Sequence, residues 1–162
     1  MIIISDTSPL SALAEIGELE LLPRLYGKIT IPEAVRREAA HPHAPPGLAA
    51  GLAQAGAWLV VVPDPVPLLP EAKGLDPGEA AAISVAWAHR AEALLIVDDK
   101  EGRKLCDALG LAKTGTAGVL LAAACAGLVD FETVMQRLQG TTFRLHPAVV
   151  EELRQRLRKP AF

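Results

Sequence analysis

The sequence predicts an α/β fold, a central parallel sheet with helices on both faces, and three observations carry that prediction. Two short apolar runs, Ile2-Ile3-Ile4-Ser5 and Leu94-Leu95-Ile96-Val97, read as strands buried on both faces. Strand-like and helix-like patterns alternate along the chain, as they do when each strand returns through a covering helix. Both apolar runs also stop on acids, Asp6 in the first and the pair Asp98-Asp99 in the second. In open α/β sheets the ligand crevice lies beyond the carboxyl ends of the strands.

Each element follows from local chemistry. Ile2 to Ser5 is the first strand, and Ser8-Pro9 opens a helix, with Ser at the cap and Pro in the first turn. Gly17 separates it from a second apolar stretch, Leu19 to Tyr26. Lys28 to Ile31 is a short β-branched strand, and Pro32-Glu33 opens a helix running to Ala40. A Pro-rich break from His41 to Pro46 precedes an Ala-rich helix, Leu48 to Ala55, and a strand, Trp58 to Val62. The prolines at Pro63, Pro65, Pro67 and Pro70 exclude helix and disfavour sheet, so this stretch is a rigid surface crossing. Asp76-Pro77-Gly78-Glu79 launches a helix to Arg90, and Leu94 to Val97 is the next strand. Lys100 to Leu109 is a helix closed by Gly110 in the C′ position. Lys113 to Thr116 is a last brief strand and turn, followed by helices over Ala117 to Ala126, Phe131 to Leu138 and Pro147 to Arg158.

The bulk properties bound the function. At 162 residues, 51% hydrophobic and 22% charged, the chain is expected to fold as one domain, residues 1–162, with a sizeable core. A net charge of −3 gives no global attraction to nucleic acid, although local Arg and Lys can still hold phosphates around an acidic site. Aromatic residues are 4%, so stacking platforms are scarce. No signal peptide or membrane-spanning stretch is visible, and a cytoplasmic location is expected. Cys106 and Cys125 sit in helical patterns and read as buried free thiols. The four histidines lack metal-ligand spacing, and no phosphate loop or nucleophile elbow is present.

What remains is the acids. Asp6 ends an apolar strand, where a carboxylate is costly unless paired, hydrogen-bonded or metal-bound; the competing role is a helix cap, which Thr7 and Ser8 can supply instead. Glu38 lies beside the apolar stripe of its helix rather than opposite it. Glu79 has an alternative role, because Asp76-x-x-Glu79 is a capping box with Pro77 at the first helical position. Asp98 and Asp99 would point to opposite faces of a strand, so one of them is expected at the same point as Asp6; Asp99 is favoured and Asp98 is the second candidate. Thr7 and Ser8 at a helix N-terminus, and Lys100 and Arg103 on the helix after the acid pair, are candidates for holding substrate phosphate. Clustered carboxylates suit hard divalent cations such as Mg²⁺ and Mn²⁺.

Four segments, in order, give the chain a family resemblance. Ser5-Asp6-Thr7-Ser8-Pro9-Leu10, Pro77-Gly78-Glu79-Ala80, Asp98-Asp99-Lys100-Glu101-Gly102-Arg103 and Thr114-Gly115-Thr116-Ala117-Gly118 resemble the PIN-domain family, metal-dependent nucleases that include toxins of toxin-antitoxin pairs. The resemblance spans nearly the whole chain and implies a three-layer PIN-like fold. It also implies that Asp6, Glu38, Glu79 and Asp99 match the family's acidic positions around Mg²⁺ or Mn²⁺, with Thr7 as the neighbouring hydroxyl. The implied activity is endoribonuclease cleavage of RNA, with water attacking a backbone phosphorus in line and the 3′ oxygen departing. A homodimer and a small antitoxin partner are further expectations from the resemblance. Glu79 stands where many relatives carry Asp, and with the low basic charge this motivates an alternative, a non-catalytic nucleic-acid or partner-binding domain. An aspartyl-phosphate phosphatase is a weaker reading, since Ser8 occupies the place of its second Asp.

Overall fold

A computed structural model describes residues 1–159. Five parallel strands, β1 (Ile2–Ser5), β2 (Ile29–Pro32), β3 (Leu59–Val62), β4 (Ala93–Ile96) and β5 (Ala112–Thr114), form one sheet in the order β3-β2-β1-β4-β5. The central pair is in register from Ile2 opposite Ala93 to Ser5 opposite Ile96. The chain builds outward from β1 through β2 to β3 and then crosses back to place β4 on the other side. The β1–β4 boundary is therefore the topological switch point, where an α/β sheet opens a crevice at its carboxyl edge.

The helices α1 (Thr7–Glu15), α2 (Leu21–Tyr26), α3 (Glu33–Ala39), α4 (Pro46–Ala53), α5 (Pro77–Ala88), α6 (Lys100–Leu109), α7 (Thr116–Cys125), α8 (Phe131–Gln139) and α9 (Pro147–Arg158) complete the layers. Period-two alternation divides the strand side chains between two cores. Ile3, Ile29, Ile31 and Ile96 join a cluster with Leu10 and Leu13 of α1, Val119 and Leu120 of α7 and Phe131 of α8. Ile4, Leu95 and Val97 join a second cluster with Ile83 and Val85 of α5 and Cys106 of α6. The predicted three-layer α/β fold is the one observed.

Several boundaries differ from those the sequence predicts, each for a local reason. The first helix begins at Thr7, which puts Asp6 and not Ser8 at its N-cap position. The fourth begins at Pro46, inside the predicted Pro-rich break, because Pro is tolerated at a first helical position where no amide is needed. Trp58 belongs to a 3₁₀ turn ahead of β3. Cys106 is buried as expected, but Cys125 is exposed; both are free thiols. The Pro-rich crossing after β3 also supports α3. Its Asp64 accepts the Ala34 amide at 2.8 Å, capping that helix from a distant segment, and pairs with Arg37 at 2.9 Å. Among the described residues no helix is long and apolar enough to cross a membrane.

Candidate active site

Among the helices that start at the carboxyl edge of the sheet, α1, α5, α6 and α7 have positive N-terminal ends that border the acids. Asp6 ends β1 and occupies the N-cap position of α1, yet its side chain makes no capping hydrogen bond and is only 4% exposed. Glu79 lies in the first turn of α5 and is 5% exposed. Two carboxylates are thus buried at the switch point.

Glu38 reaches the same place from α3. Its Oε1 accepts the Gly78 amide at 2.8 Å and its Oε2 accepts the Thr7 hydroxyl at 3.1 Å. The alternative capping box does not form: the Asp76 side chain makes no cap bond, and the α5 N-terminus is capped from another helix by Glu38. A Cβ on Gly78 would overlap the Glu38 carboxylate, so a larger residue there would push Glu38 off the Gly78 amide.

The acid pair is also held by helix starts. Asp98 accepts the Thr116 amide at 2.7 Å and the Thr116 hydroxyl at 2.6 Å, at the opening of α7. Asp99 caps α6, accepting from Glu101 at 3.1 Å and Gly102 at 3.3 Å. Two more glycines make room here. A Cβ on Gly102 would lie 2.9 Å from the Glu79 carboxyl carbon, and one on Gly115 would lie 2.7 Å from Asp98 Oδ1. Asp98 and Asp99, one of them expected at the same point as Asp6, are both held at helix starts. The strand ends at Ile96, so strand alternation does not govern these residues; Asp98 acts electrostatically on Asp6, and Asp99 on Glu79.

Burial sets the electrostatics. Loss of hydration pushes the Asp6 carboxyl up to about 7; the Thr7 amide opposes this, while Glu38, Asp98 and Asp76 add to it. Glu79 is pushed up to about 7, again first by burial and then by Asp6, Asp99, Asp76 and Glu38. Burial also raises Asp98, against the two Thr116 bonds and the Arg103 charge. Glu38, Asp76, Asp98 and Asp99 therefore form an acidic ring around Asp6 and Glu79, which repel each other and are repelled by it.

The donor chemistry of the ring fits a hard divalent cation, because it offers only carboxylate oxygens and crowds negative charge into a buried crevice. As placed, no three His, Cys, Asp or Glu side chains among the described residues stand together closely enough to hold an ion. Glu38, Asp98 and Asp99 are turned to helix amides, which accounts for that spread.

The remaining predicted residues divide. Thr7 orients Glu38, whereas Ser8 is exposed on the next position of α1. Arg103 lies against the ring and donates to the Val97 carbonyl at 2.8 Å, while Lys100 is exposed on the first turn of α6. Sequence reasoning missed Asp76 as a ring member, Thr116 as the partner of Asp98, and the three glycines as space-makers. None of Gly78, Gly102 and Gly115 has positive φ, so no turn requires them; the carboxylates that crowd them come from other segments, a relation the sequence does not signal.

The family model described as DUF3368, PIN domain, matches residues 2–159. No curated protein and no solved structure matches the chain.

Proposed function

This chain belongs to the PIN-domain family, and from that premise we propose that its acidic ring is the active site of a Mg²⁺- or Mn²⁺-dependent endoribonuclease. One observation carries the reading: Asp6 and Glu79 are both buried at the switch point and repel each other. A fold that concentrates uncompensated carboxylates in a crevice is built for a cation. Asp6, Glu79, Glu38 and the Asp98-Asp99 pair are the residues that would hold it. When bound, the metal would supply Lewis-acid stabilisation of charge on the phosphate oxygens.

The chain's own groups divide the remaining work. Thr7 holds Glu38 in place and Thr116 holds Asp98, so both carboxylates enter the crevice pre-oriented. Asp6 serves no helix cap, which leaves its carboxylate able to orient water and accept its proton. Attack in line on the phosphorus expels the 3′ oxygen and needs no covalent protein intermediate.

The ordered motifs from Ser5 to Leu10, Pro77 to Ala80 and Asp98 to Arg103 support a toxin role, restrained by a small antitoxin and exerted as a homodimer. A second reading, a binding domain without turnover, is favoured by the commitment of Glu38, Asp98 and Asp99 to helix amides. The deciding experiment is cleavage of a mixed structured-RNA panel with Mg²⁺, Mn²⁺ or EDTA beside Asp6→Asn. Metal-dependent cutting lost in the variant supports the nuclease. Cutting retained by Asp6→Asn contradicts it, and RNA binding by folded protein without cutting moves the conclusion to the binding domain.

A further inference from the structure

Two grooves open beside the acidic ring and share one wall. The first, about 450 Å³, is lined by Asp98 of the ring and by Arg103, Lys113, Arg144 and Arg156. Its four cations face only Asp98 and Glu152 in the lining, so it is locally positive in a chain of net charge −3. Lys113 and Arg156 pair with Asp107 and Glu152, both of which are well exposed. Such surface pairs yield to a phosphate at little cost. The second groove, about 240 Å³, is lined by the hydroxyls of Thr7, Ser8 and Ser11 of α1 with Thr142, and by Ala12 and the acidic Glu15, a lining that suits sugar and base and disfavours phosphate. Thr7 is also the residue that orients Glu38, so both grooves touch the ring.

Phe143 lines both grooves. Its position is built rather than incidental. The ring is half-buried and backs onto the larger core, and its amide donates to the Thr141 hydroxyl at 3.1 Å. Arg144 staples the same loop by donating to the Gln139 and Phe143 carbonyls, each at 3.0 Å. A pinned aromatic side chain between a phosphate-attracting groove and a hydroxyl-lined groove matches the chemical sequence of a nucleotide: phosphate, then sugar and base. Sequence composition made stacking platforms scarce; the fold places one of the few aromatics where a single platform suffices.

We propose that Phe143 is a substrate-positioning residue that stacks on a nucleobase of single-stranded RNA, while the phosphates of that strand lie in the groove of Arg103, Lys113, Arg144 and Arg156. The inference rests on the nuclease reading and adds to it a strand path and a requirement for an unpaired base beside the cut. A duplex keeps its bases stacked internally and cannot offer one.

The test is a cycle of protein and RNA changes, with binding measured by fluorescence anisotropy in an Asp6→Asn background with Mg²⁺ and cleavage measured in the wild-type background. Phe143→Leu keeps apolar volume without a stacking face, and Phe143→Tyr keeps the face. The probes are a short single-stranded RNA, a set of the same strand with one abasic position walked along it, and its duplex. Expected results are roughly ten-fold weaker binding of the intact strand by Phe143→Leu, near-normal binding by Phe143→Tyr, and no Phe143→Leu penalty on one member of the abasic set. Cleavage by Phe143→Leu should show raised KM with kcat nearly unchanged. Equal losses on intact and every abasic strand would mean a structural role and overturn the proposal, as would unchanged binding by Phe143→Leu or equal cleavage of duplex. Those outcomes leave the nuclease reading standing if the wild type still cuts and Asp6→Asn does not. A wild type that neither binds nor cuts any strand removes both.

Discussion

The two halves of the acidic ring are solved differently by the fold. Glu38, Asp98 and Asp99 each accept backbone amides at a helix start, so the dipoles of α5, α7 and α6 offset their charge. Asp6 occupies the N-cap position of α1 with no capping hydrogen bond and only the adjacent Thr7 amide to oppose its burial, and Glu79 faces Gly102, whose amide is already given to Asp99. The pair left without a cap is the pair pushed up to about 7. The difference shows how a protein can gather acids without neutralising all of them: helix ends hold one half in place, and the other half is left to a ligand.

The largest test removes the uncapped half. Asp6→Asn or Glu79→Gln should lower RNA cleavage by at least about 100-fold, while raising the metal-free melting temperature by roughly 3–10 °C because a buried charge is gone. Lower melting temperatures for both variants in EDTA would mean that these acids are structurally satisfied and that the contrast between the halves is false.

The same contrast predicts a pH dependence. Asp6 and Glu79 have folded-state pKa values raised to about 7, above their unfolded values, so the native state binds more protons between about pH 4 and about pH 7. Their stabilising effect is complete below the unfolded pKa and is lost as pH rises through the folded one. The melting temperature in EDTA should therefore fall by roughly 5–10 °C between about pH 5 and about pH 8. The slope should be shallower in Asp6→Asn and flattened by Mn²⁺. An equal slope in that variant would place the titration elsewhere.

The capped half is probed by Gly78→Ala. In an ordinary helix this change gains about 1 kcal/mol; here the new methyl meets the Glu38 carboxylate, and a loss of about 2 kcal/mol by urea denaturation is expected. A gain would show that Glu38 does not lie against α5. The smallest effect belongs to Thr116→Val, which removes the hydroxyl bond to Asp98 but keeps the amide bond, and should cost about 1.5 kcal/mol. A larger loss would mean that the hydroxyl, not the helix start, is what holds Asp98.

The sequence made one half of this arrangement more legible than the other. β1 and β4 declare themselves as apolar runs ending on acids, because a central parallel strand must be hydrophobic on both faces. That is why Asp6 and the Asp98-Asp99 pair stand out without any knowledge of the fold. Glu38 does not, since a helical glutamate beside Arg36 and Arg37 has an ordinary explanation until α5 is brought against it. The Asp76-x-x-Glu79 spacing pointed to a local capping box that does not form; the start of α5 is capped instead at the Gly78 amide, by Glu38 from a distant helix. Asp76 then joins the ring through space, a relation that spacing along the chain cannot encode. Local chemistry was readable, and the missed features are those where a distant segment supplies the partner.

The central claim, that the uncapped half of the ring is completed by a cation, is tested most directly by titrating Mn²⁺ calorimetrically into metal-free wild type, Asp6→Asn and Glu79→Gln, each checked for folding by circular dichroism. The account predicts saturable binding to wild type, with a raised melting temperature, and its loss in both variants. No binding to folded wild type, or binding that survives both substitutions, would contradict it.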